Sequence, residues 1–313
     1  MPVEIWSGEK TQQHENNLSP GAKKSLFIPE ESVVDPFALP ILLLSTAINN
    51  SGVFYPNVEL LSGEFDERAK KWKLLLEDNK KQQNIIHSEL VINCAGNYGD
   101  LVENALFPES KCPFSIVPRK GQFIVYEKVN SDLLQRTILP IPKPKTKGIL
   151  ICPTIFGNIL VGPTAEDQTE REIASLEKAT LSNLQRQAEE MLPGLKNYKI
   201  IGSYAGLRPA TQFTEYQIRA EANKNYICVG GIRSTGLTAC CGIGIFVINM
   251  TKNTFPAFSS DRPADYRKAP NNLNVEYSVK DAQSVLSVSD GQFHVVSHKL
   301  NGICLRPKIQ ANI

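Results

Sequence analysis

The sequence of 313 residues predicts a mixed α/β (α+β) fold, and three stretches carry the prediction. Residues 226–250, YICVGGIRSTGLTACCGIGIFVINM, combine a short apolar strand, a Gly-Gly turn and an apolar helix. Residues 89–100, ELVINCAGNYGD, again place a buried strand before a turn of small residues. Residues 149–162 predict an antiparallel hairpin. Strand–turn–helix patterns and an antiparallel hairpin in one chain indicate a mixed fold.

The composition argues against several functional classes. Hydrophobic residues make up 42% and charged residues 21% of the chain, which is typical of a globular protein. A net charge of +2 predicts neither nucleic-acid binding nor attraction to an anionic membrane. No apolar stretch reaches the roughly 18 residues that a spanning helix needs, and the polar N-terminus lacks the apolar segment of a secretory signal.

The cysteine pattern predicts a reducing compartment. The seven cysteines are odd in number, form no CxxC motif and lie mostly in apolar runs: Cys94, Cys112, Cys152, Cys228, Cys240, Cys241 and Cys304. We therefore expect an intracellular protein, cytoplasmic or mitochondrial. The adjacent pair Cys240-Cys241 is interpreted as small side chains in a packed helix, because a disulfide between neighbours is strained. The four histidines show no ligand spacing with the cysteines, so no metal site is predicted.

Periodicity and turn residues predict the remaining elements. Asp35-Pro36 is typical of a helix start, and apolar residues follow at helical spacing from Phe37 to Ile48. An amphipathic helix is predicted over Glu170–Leu192. The predicted strands are Ser25–Ile28, Val53–Tyr55, Val58–Leu61, Lys71–Leu76, Leu90–Asn93, one within Phe114–Tyr126, and one that ends at Pro209.

The turn within residues 226–250 is the strongest candidate binding element. Gly230-Gly231 lets the backbone approach a ligand closely, and Ser234-Thr235-Gly236 starts the next helix. The apolar run Leu237–Met250 predicts that this helix is buried. A buried helix N-terminus presents free N–H groups and the positive end of its dipole. A negative or electron-rich ligand is therefore expected beside Arg233.

The motif GGIRSTGLTA, together with YAGLRPAT at Tyr204–Thr211, resembles the C-terminal signature of FAD-dependent oxidoreductases of the D-amino-acid-oxidase superfamily. Within it, the chain is most similar to the branch of anaerobic-type glycerol-3-phosphate dehydrogenases and L-2-hydroxyglutarate dehydrogenases. The resemblance covers roughly residues 15–250. It implies FAD as cofactor and a FAD-binding Rossmann-like domain, here incomplete, with an inserted, mainly antiparallel β-sheet substrate domain.

The resemblance also implies a domain division. It consists of a partial FAD-binding domain (36–110 and 222–255), a substrate or cap domain (1–35 and 111–221) and a C-terminal extension (256–313). The extension combines a polar, Pro-rich connector with β alternation and a turn signal at Asp290-Gly291. No function is assigned to it.

By resemblance, several segments contact the cofactor. The residues so implied are Glu59 and Leu60 beside the adenine, Cys94, Ala95 and Gly96 in a second glycine turn, Gly206, and Gly231, Gly236, Leu237 and Thr238 around the isoalloxazine ring. From the residues alone, Val58–Leu60 is equally compatible with an ordinary strand. Cys94 taken alone is more readily a small core residue.

Three arginines are candidate anion-binding residues. Arginine can bind a carboxylate or phosphate in bidentate fashion, and the resemblance implies this role for Arg208. Without the resemblance, an ion-paired or surface arginine is the preferred interpretation. Arg233 is a second candidate. Arg119 either faces the site or is a solvent-side charge.

The implied reaction is hydride transfer to flavin N5 from a small anionic substrate, of the glycerol 3-phosphate or 2-hydroxy or amino acid type. The electron acceptor is unknown. A base is expected for an alcohol substrate, but no histidine lies between His87 and His294. Tyr204 and Tyr126 are the candidate substitutes. The missing histidine disfavours alcohol oxidation more than amine oxidation.

One expected motif is absent from the sequence. The superfamily opens with a βαβ unit whose GxGxxG turn binds the FAD diphosphate, and GxGxxG does not occur in the 313 residues. Three explanations compete: a truncated gene model or splice fragment, a paralogue that lost cofactor binding and serves as a partner protein, and a missing unit that comes from another chain. Whether the chain is an enzyme is therefore left open, with a non-catalytic partner or remnant protein as the alternative.

Overall fold

The computed structural model describes residues 2–141 and 148–258, together with the backbone of three strands between residues 276 and 296. The α-helices are α1 (Gly8–His14), α2 (Ala38–Asn49), α3 (Gly99–Leu106), α4 (Lys178–Met191) and α5 (Gly236–Thr254). The strands are β1 (Glu4–Ser7), β2 (Lys24–Phe27), β3 (Val58–Asp66), β4 (Lys71–Asp78), β5 (Gln83–Ser88), β6 (Val91–Asn93), β7 (Ile116–Lys128), β8 (Leu150–Pro153), β9 (Asn158–Gly162), β10 (Glu166–Asp167), β11 (Ile200–Thr211), β12 (Gln217–Glu221), β13 (Tyr226–Gly230), β14 (Glu276–Lys280), β15 (Gln283–Ser287) and β16 (Phe293–Val296). Helices and several antiparallel sheets together confirm the predicted mixed fold.

The longest strand, β7, organises a five-stranded antiparallel sheet. Strand β11 pairs along one side of β7, while β10 and β9 pair in succession along the other, and β8 pairs with β9. Helix α4 covers one face of this sheet, where Ile124, Ile159 and Leu184 are among the buried apolar side chains. The β8–β9 pair confirms the predicted hairpin.

A smaller sheet contains a parallel pair of strands, and each of the two leads into a glycine turn. Strands β6 and β13 run parallel in the register Tyr226 to Val91 and Cys228 to Asn93, and β12 adds to β13 in antiparallel fashion. Every residue of β13 is buried. Because β13 is covered on both faces, its sequence is a continuous apolar run rather than an alternating one. In β6, by contrast, Ile92 is exposed, so the prediction that this strand is buried is wrong.

Helix α5 follows this sheet as predicted, but the prediction that it is buried is wrong. Val247 is its one buried residue, while Ile245 and Ile248 are exposed. One face of the helix packs on the cluster around Ile227 and Phe255. Away from this cluster, the apolar side chains of Ile245, Phe246 and Ile248 remain at the surface.

The third sheet is the meander β3–β4–β5, which packs against α3. Its core contains Trp72, whose indole Nε1 donates to the Lys224 carbonyl at 2.7 Å and so ties the meander to the β12–β13 turn. The predicted strands at Val58 and Lys71 are confirmed and extend further than expected. The predicted strand Val53–Tyr55 is wrong, because these residues form an exposed loop.

The observed starts of two helices can be compared with those predicted from the sequence. Asp35 accepts hydrogen bonds from the amides of Phe37 and Ala38 at 2.8 and 3.2 Å. Helix α2 nevertheless begins at Ala38 with Phe37 as its N-cap, two residues later than predicted. The predicted helix Glu170–Leu192 begins only at Lys178. Residues 170–177 are irregular instead, and here the Glu177 amide donates to Gln122 Oε1 at 2.7 Å and Arg171 is held by Asp100 of α3.

Strands β14, β15 and β16 form a three-stranded antiparallel sheet, in agreement with the β alternation of the extension. The turn signal Asp290-Gly291 and Cys304 lie outside the described residues. In the part of the chain that the structure describes, no helix is long and apolar enough to span a membrane.

Candidate functional site

Two glycine turns lie side by side at one edge of the small sheet. Because β6 and β13 are parallel, the turn Cys94–Gly96 and the turn at Gly231 leave the sheet at the same edge. Gly96 (φ 56°) and Gly231 (φ 64°) adopt left-handed conformations that favour glycine. No atom lies within 4 Å of the position that a Cβ on Gly96 would occupy. Ligands of α/β sheets bind at this edge, where the strands end.

The N-terminus of α5 opens beside these turns. Its N-cap residue Thr235 makes no side-chain capping hydrogen bond, because its hydroxyl is paired with the Tyr216 hydroxyl instead. The first N–H groups of a 19-residue helix, from Gly236 through Leu237 and Thr238, therefore have no side-chain cap. The positive end of the helix dipole favours an electron-rich group there.

One face of the β7–β11 pair carries the predicted arginines. In the register of these strands Arg119 lies opposite Arg208, Gly121 opposite Gly206, and Phe123 opposite Tyr204. Alternate residues share a face of a sheet, so this face presents arginines, then glycines, then aromatic rings. The rings of Phe123 and Tyr204 stack at 4.8 Å between centroids. We call this face, with its three residue pairs, the arginine–glycine–aromatic face.

Tyr126 does not belong to this face. It is fully buried in the apolar core between β7 and α4, and burial strongly raises the pKa of its hydroxyl. The suggestion that Tyr126 is a base at the site is therefore wrong. Its side chain lies on the same face of β7 as that of Ile124, and this face packs against α4.

Arg208 is held by main-chain oxygens rather than by a carboxylate. Its guanidinium donates to the carbonyls of Arg119 (3.3 Å), Lys120 (3.4 Å) and Thr164 (3.2 Å). It has no salt bridge in the described part of the chain. Burial, and to a smaller extent the charge of Arg119, lower the pKa of Arg208 from its ordinary value. Arg208 is thus a half-buried cation whose charge is not neutralised by a side chain.

The cations around Arg208 are paired differently. Arg119 forms a two-bond ion pair with Asp167, at 2.5 and 3.1 Å, and this hydrogen bonding lowers the pKa of the Asp167 carboxyl. Lys120 is buried between Glu177 (2.6 Å) and Glu166 (3.1 Å). These two cations are neutralised within the chain, which leaves Arg208 as the available charge of the arginine–glycine–aromatic face.

Arg233 holds the loop above the second glycine turn. It has a left-handed backbone conformation (φ 56°), and its Nη2 donates to the carbonyls of Phe213 and Thr211. These contacts bring the turn before α5 to the end of β11. In this conformation Arg233 connects the two parts of the site.

The remaining predicted residues lie in different surroundings. Glu59 is exposed on β3, and Leu60 packs against the buried apolar side chains around Trp72. Cys94 is exposed, so its interpretation as a core residue is wrong. A Cβ added to Gly206 would meet no atom within 4 Å, so this glycine leaves open space on the arginine–glycine–aromatic face. The sulfurs of Cys240 and Cys241 are 4.0 Å apart and form no disulfide.

An ion pair between Asp100 and Arg171, which the sequence did not indicate, holds the first glycine turn against the large sheet. We call it the Asp100–Arg171 joint. Arg171 donates to both carboxylate oxygens of Asp100, at 2.7 and 2.9 Å, and to the Ile116 carbonyl at 3.2 Å. Asp100, 5% exposed, also accepts from the Ile116 amide at 2.8 Å. Asn97, directly after this turn, donates to the Leu207 carbonyl at 3.5 Å. The first glycine turn and the arginine–glycine–aromatic face are thereby held together.

Comparisons with known proteins agree with this arrangement. Residues 1–250 match the family described as FAD dependent oxidoreductase. The glycerol 3-phosphate dehydrogenase of Caloramator mitchellensis is 30% identical over 250 residues, which are 80% of this chain and 50% of that protein. The chain therefore spans about half the length of this curated relative.

Two solved structures show the same fold. The L-alpha-glycerophosphate oxidase of Mycoplasma pneumoniae, dithionite-reduced and with FAD bound, has a TM-score of 0.67 at 24% identity, over 79% of this chain and 64% of the other. The glycine oxidase of Bacillus cereus has a TM-score of 0.69 at 16% identity, over 80% of this chain and 66% of the other.

The contribution of the Asp100–Arg171 joint to the stability of the protein can be tested by unfolding. Arg171→Met should lower the free energy of unfolding by about 3 kcal/mol, because it leaves a buried carboxylate without its partner. Adding Asp100→Asn should recover much of this loss, since no charge then remains unpaired. Urea unfolding measures both, with Arg186→Met in an exposed ion pair as the control. Equal small losses for Arg171→Met and the control would contradict the joint.

Proposed function

The chain belongs to the family of FAD dependent oxidoreductases, and from this we propose that it holds the flavin of FAD between its two glycine turns and the arginine–glycine–aromatic face. The observation that carries the proposal is the meeting of these elements. The Asn97 side chain joins the first turn to β11, and Arg233 joins the second turn to the end of β11. A planar group bound at the turns would lie against the sheet.

The residues present fit the flavin end of the cofactor. Gly96 and Gly206 leave open space, and the first turn of α5 offers uncapped N–H groups. Cys94, Ala95 and Gly231 would approach the ring through their backbone, while Gly236, Leu237 and Thr238 would place N–H groups at its polar edge. Glu59 and Leu60 would flank the adenine on β3. FAD, when bound, supplies the acceptor for a hydride from the substrate.

The chain's own residues would bind and orient the substrate. Arg208 would hold the anionic group, since its charge is not neutralised by a carboxylate and a guanidinium can bind two oxygens at once. Because the guanidinium of Arg119 is already paired with Asp167, we expect Arg119 to orient Arg208 through its main-chain carbonyl rather than to bind substrate directly. The stacked pair of Phe123 and Tyr204 would bound the far end of the site and exclude water.

We propose a small anionic substrate with a hydroxyl or amino group, and glycerol 3-phosphate as the first to test. The support is the relative named for glycerol 3-phosphate that is 30% identical over 80% of this chain. The open space at Gly206, between Arg208 and the aromatic pair, suits a short molecule. A 2-hydroxy or amino acid fits the same geometry, with its carboxylate on Arg208.

Tyr204, in its phenolate form, is our candidate for accepting the hydroxyl proton of an alcohol substrate. It lies on the same face as Arg208 and two residue pairs from it. The other residues of this face are arginines, glycines and a phenylalanine, none of which is a suitable base. The electron acceptor is not defined by any described feature, so activity is best followed with an artificial dye.

We further propose that a partner chain covers the open edge of β6 and the outer face of α5. Ile92 on β6 and Ile245 and Ile248 on α5 are exposed apolar residues beside a parallel sheet. A parallel strand added to β6 could also bring the GxGxxG turn that the 313 residues do not contain, and so tighten FAD binding.

Light scattering of the chain purified from its own cells should give a mass above that of one chain. A monomer that binds FAD at full occupancy would contradict this partner.

Substitutions should separate the roles of Arg208 and Tyr204. In a dye-reduction assay with added FAD and glycerol 3-phosphate, Arg208→Gln should raise KM about tenfold or more, because a charge-assisted contact to the substrate is lost. Tyr204→Phe should instead lower kcat by about a hundredfold, because the proton acceptor is removed. Arg186→Gln, an exposed arginine on α4, is the control.

The pattern of kinetic changes decides between the roles. If both variants raise KM alone, Tyr204 takes no part in proton transfer. If Arg208→Gln leaves KM unchanged for glycerol 3-phosphate and for small amino acids, the anion site lies elsewhere.

A further inference from the structure

We propose that Gly121 is the positioning residue for Arg208. Because glycine has no side chain, the Arg208 guanidinium can lie directly over the backbone of β7 at this residue. The inference rests on the proposed function in one respect, namely that Arg208 binds the substrate anion. It adds a residue whose role is not to touch the substrate but to leave room for the group that does.

The geometry of the β7–β11 pair carries the inference. Arg208 lies opposite Arg119 in the register, yet its guanidinium extends along the sheet to Gly121. A Cβ at Gly121 would lie 2.2 Å from Arg208 Nη2, 2.8 Å from Cζ and 2.9 Å from Nη1. All three separations are below van der Waals contact. An alanine and this placement of Arg208 therefore exclude each other.

The placement matters because it determines the hydrogen bonds of Arg208. Over Gly121, the guanidinium reaches the carbonyls of Arg119, Lys120 and Thr164. Main-chain carbonyls orient the cation without cancelling its charge. The nearby carboxylates of Asp167, Glu166 and Glu177 are already bonded to Arg119 and Lys120. Displacement from Gly121 would remove the carbonyl contacts and turn the guanidinium away from the position proposed for the substrate.

The fold itself should tolerate a methyl group at residue 121. The backbone of Gly121 is outside the left-handed region, so an alanine can adopt it. The atoms that must move are the end of one long side chain and not backbone. Gly206 provides a matched control, because it lies directly opposite Gly121 on the same face and a Cβ there would meet no atom within 4 Å.

The experiment compares Gly121→Ala, Gly206→Ala, Arg208→Gln and the double variant Gly121→Ala/Arg208→Gln in the full chain. Calorimetry measures binding of glycerol 3-phosphate, and thermal unfolding reports the fold. NMR of the arginine Nε–H groups, assigned with Arg208→Gln, reports the position of the guanidinium without any ligand. We expect Gly121→Ala to shift the Arg208 signal and weaken binding about tenfold or more, with an unfolding midpoint close to the parent's. Gly206→Ala should leave the Arg208 signal in place.

The outcomes separate this inference from the proposed function. If Gly121→Ala leaves both the Arg208 signal and the affinity unchanged, the positioning role is wrong. If the double variant binds clearly more weakly than Arg208→Gln alone, Gly121 acts by another route and the inference is also overturned. If the parent chain and Arg208→Gln bind glycerol 3-phosphate equally, or neither binds it, the substrate assignment fails. In that case the NMR signal still decides whether Gly121 positions Arg208.

Discussion

The pairing of β7 with β11 is the constraint on which the rest of the site depends. The two strands pair from Ile116 to Tyr126, and this register places Arg208 opposite Arg119 and the two glycines opposite each other. A slip of one residue would turn every side chain of β11 to the other face, since side chains alternate along a strand. Arg208 would then point toward α4 and the apolar core. The long pairing thus fixes both the sheet and the position of the cation.

The joint between the two sheets then fixes where that cation stands relative to the glycine turns. Asp100 accepts hydrogen bonds from Arg171 and from the Ile116 amide, so one buried carboxylate connects α3, the segment before α4 and the start of β7. Such a buried pair gains little stability against an apolar alternative, but breaking one half of it is costly. The role of the pair is geometric, because its hydrogen bonds hold the first glycine turn at a fixed distance from the arginine–glycine–aromatic face.

The sequence predicted those parts of the fold that depend on local chemistry. The strand, turn and helix of residues 226–250 were predictable because an apolar run, glycines and a helix start lie next to one another. The β8–β9 hairpin was predictable from its alternation and its turn residues. The resemblance of the GGIRSTGLTA and YAGLRPAT segments supplied the family, which the match over residues 1–250 confirms.

Features set by distant contacts were not predictable. Helix α4 begins late because Arg171 bonds to Asp100, 71 residues away, and no local signal marks that pair. The buried state of Tyr126 follows from the register of β7, which the sequence did not determine. The exposure of α5 depends on what packs against its outer face. The contact of Gly121 with Arg208 likewise joins residues that are distant in the chain, so only the structure could show it.

The central claim is that the two glycine turns and the arginine–glycine–aromatic face form one flavin site. The most direct measurement is a titration of the purified full chain with FAD, followed by visible absorbance and by quenching of flavin fluorescence. We expect saturable uptake at one FAD per chain, and we expect Gly96→Val to weaken it, because Gly96 has a left-handed backbone and a Cβ there would project into open space. Gly99→Ala, at the start of α3, should leave uptake unchanged, because a Cβ at this residue would meet no atom within 4 Å. A colourless chain that takes up no FAD, or uptake that Gly96→Val does not change, would contradict the claim.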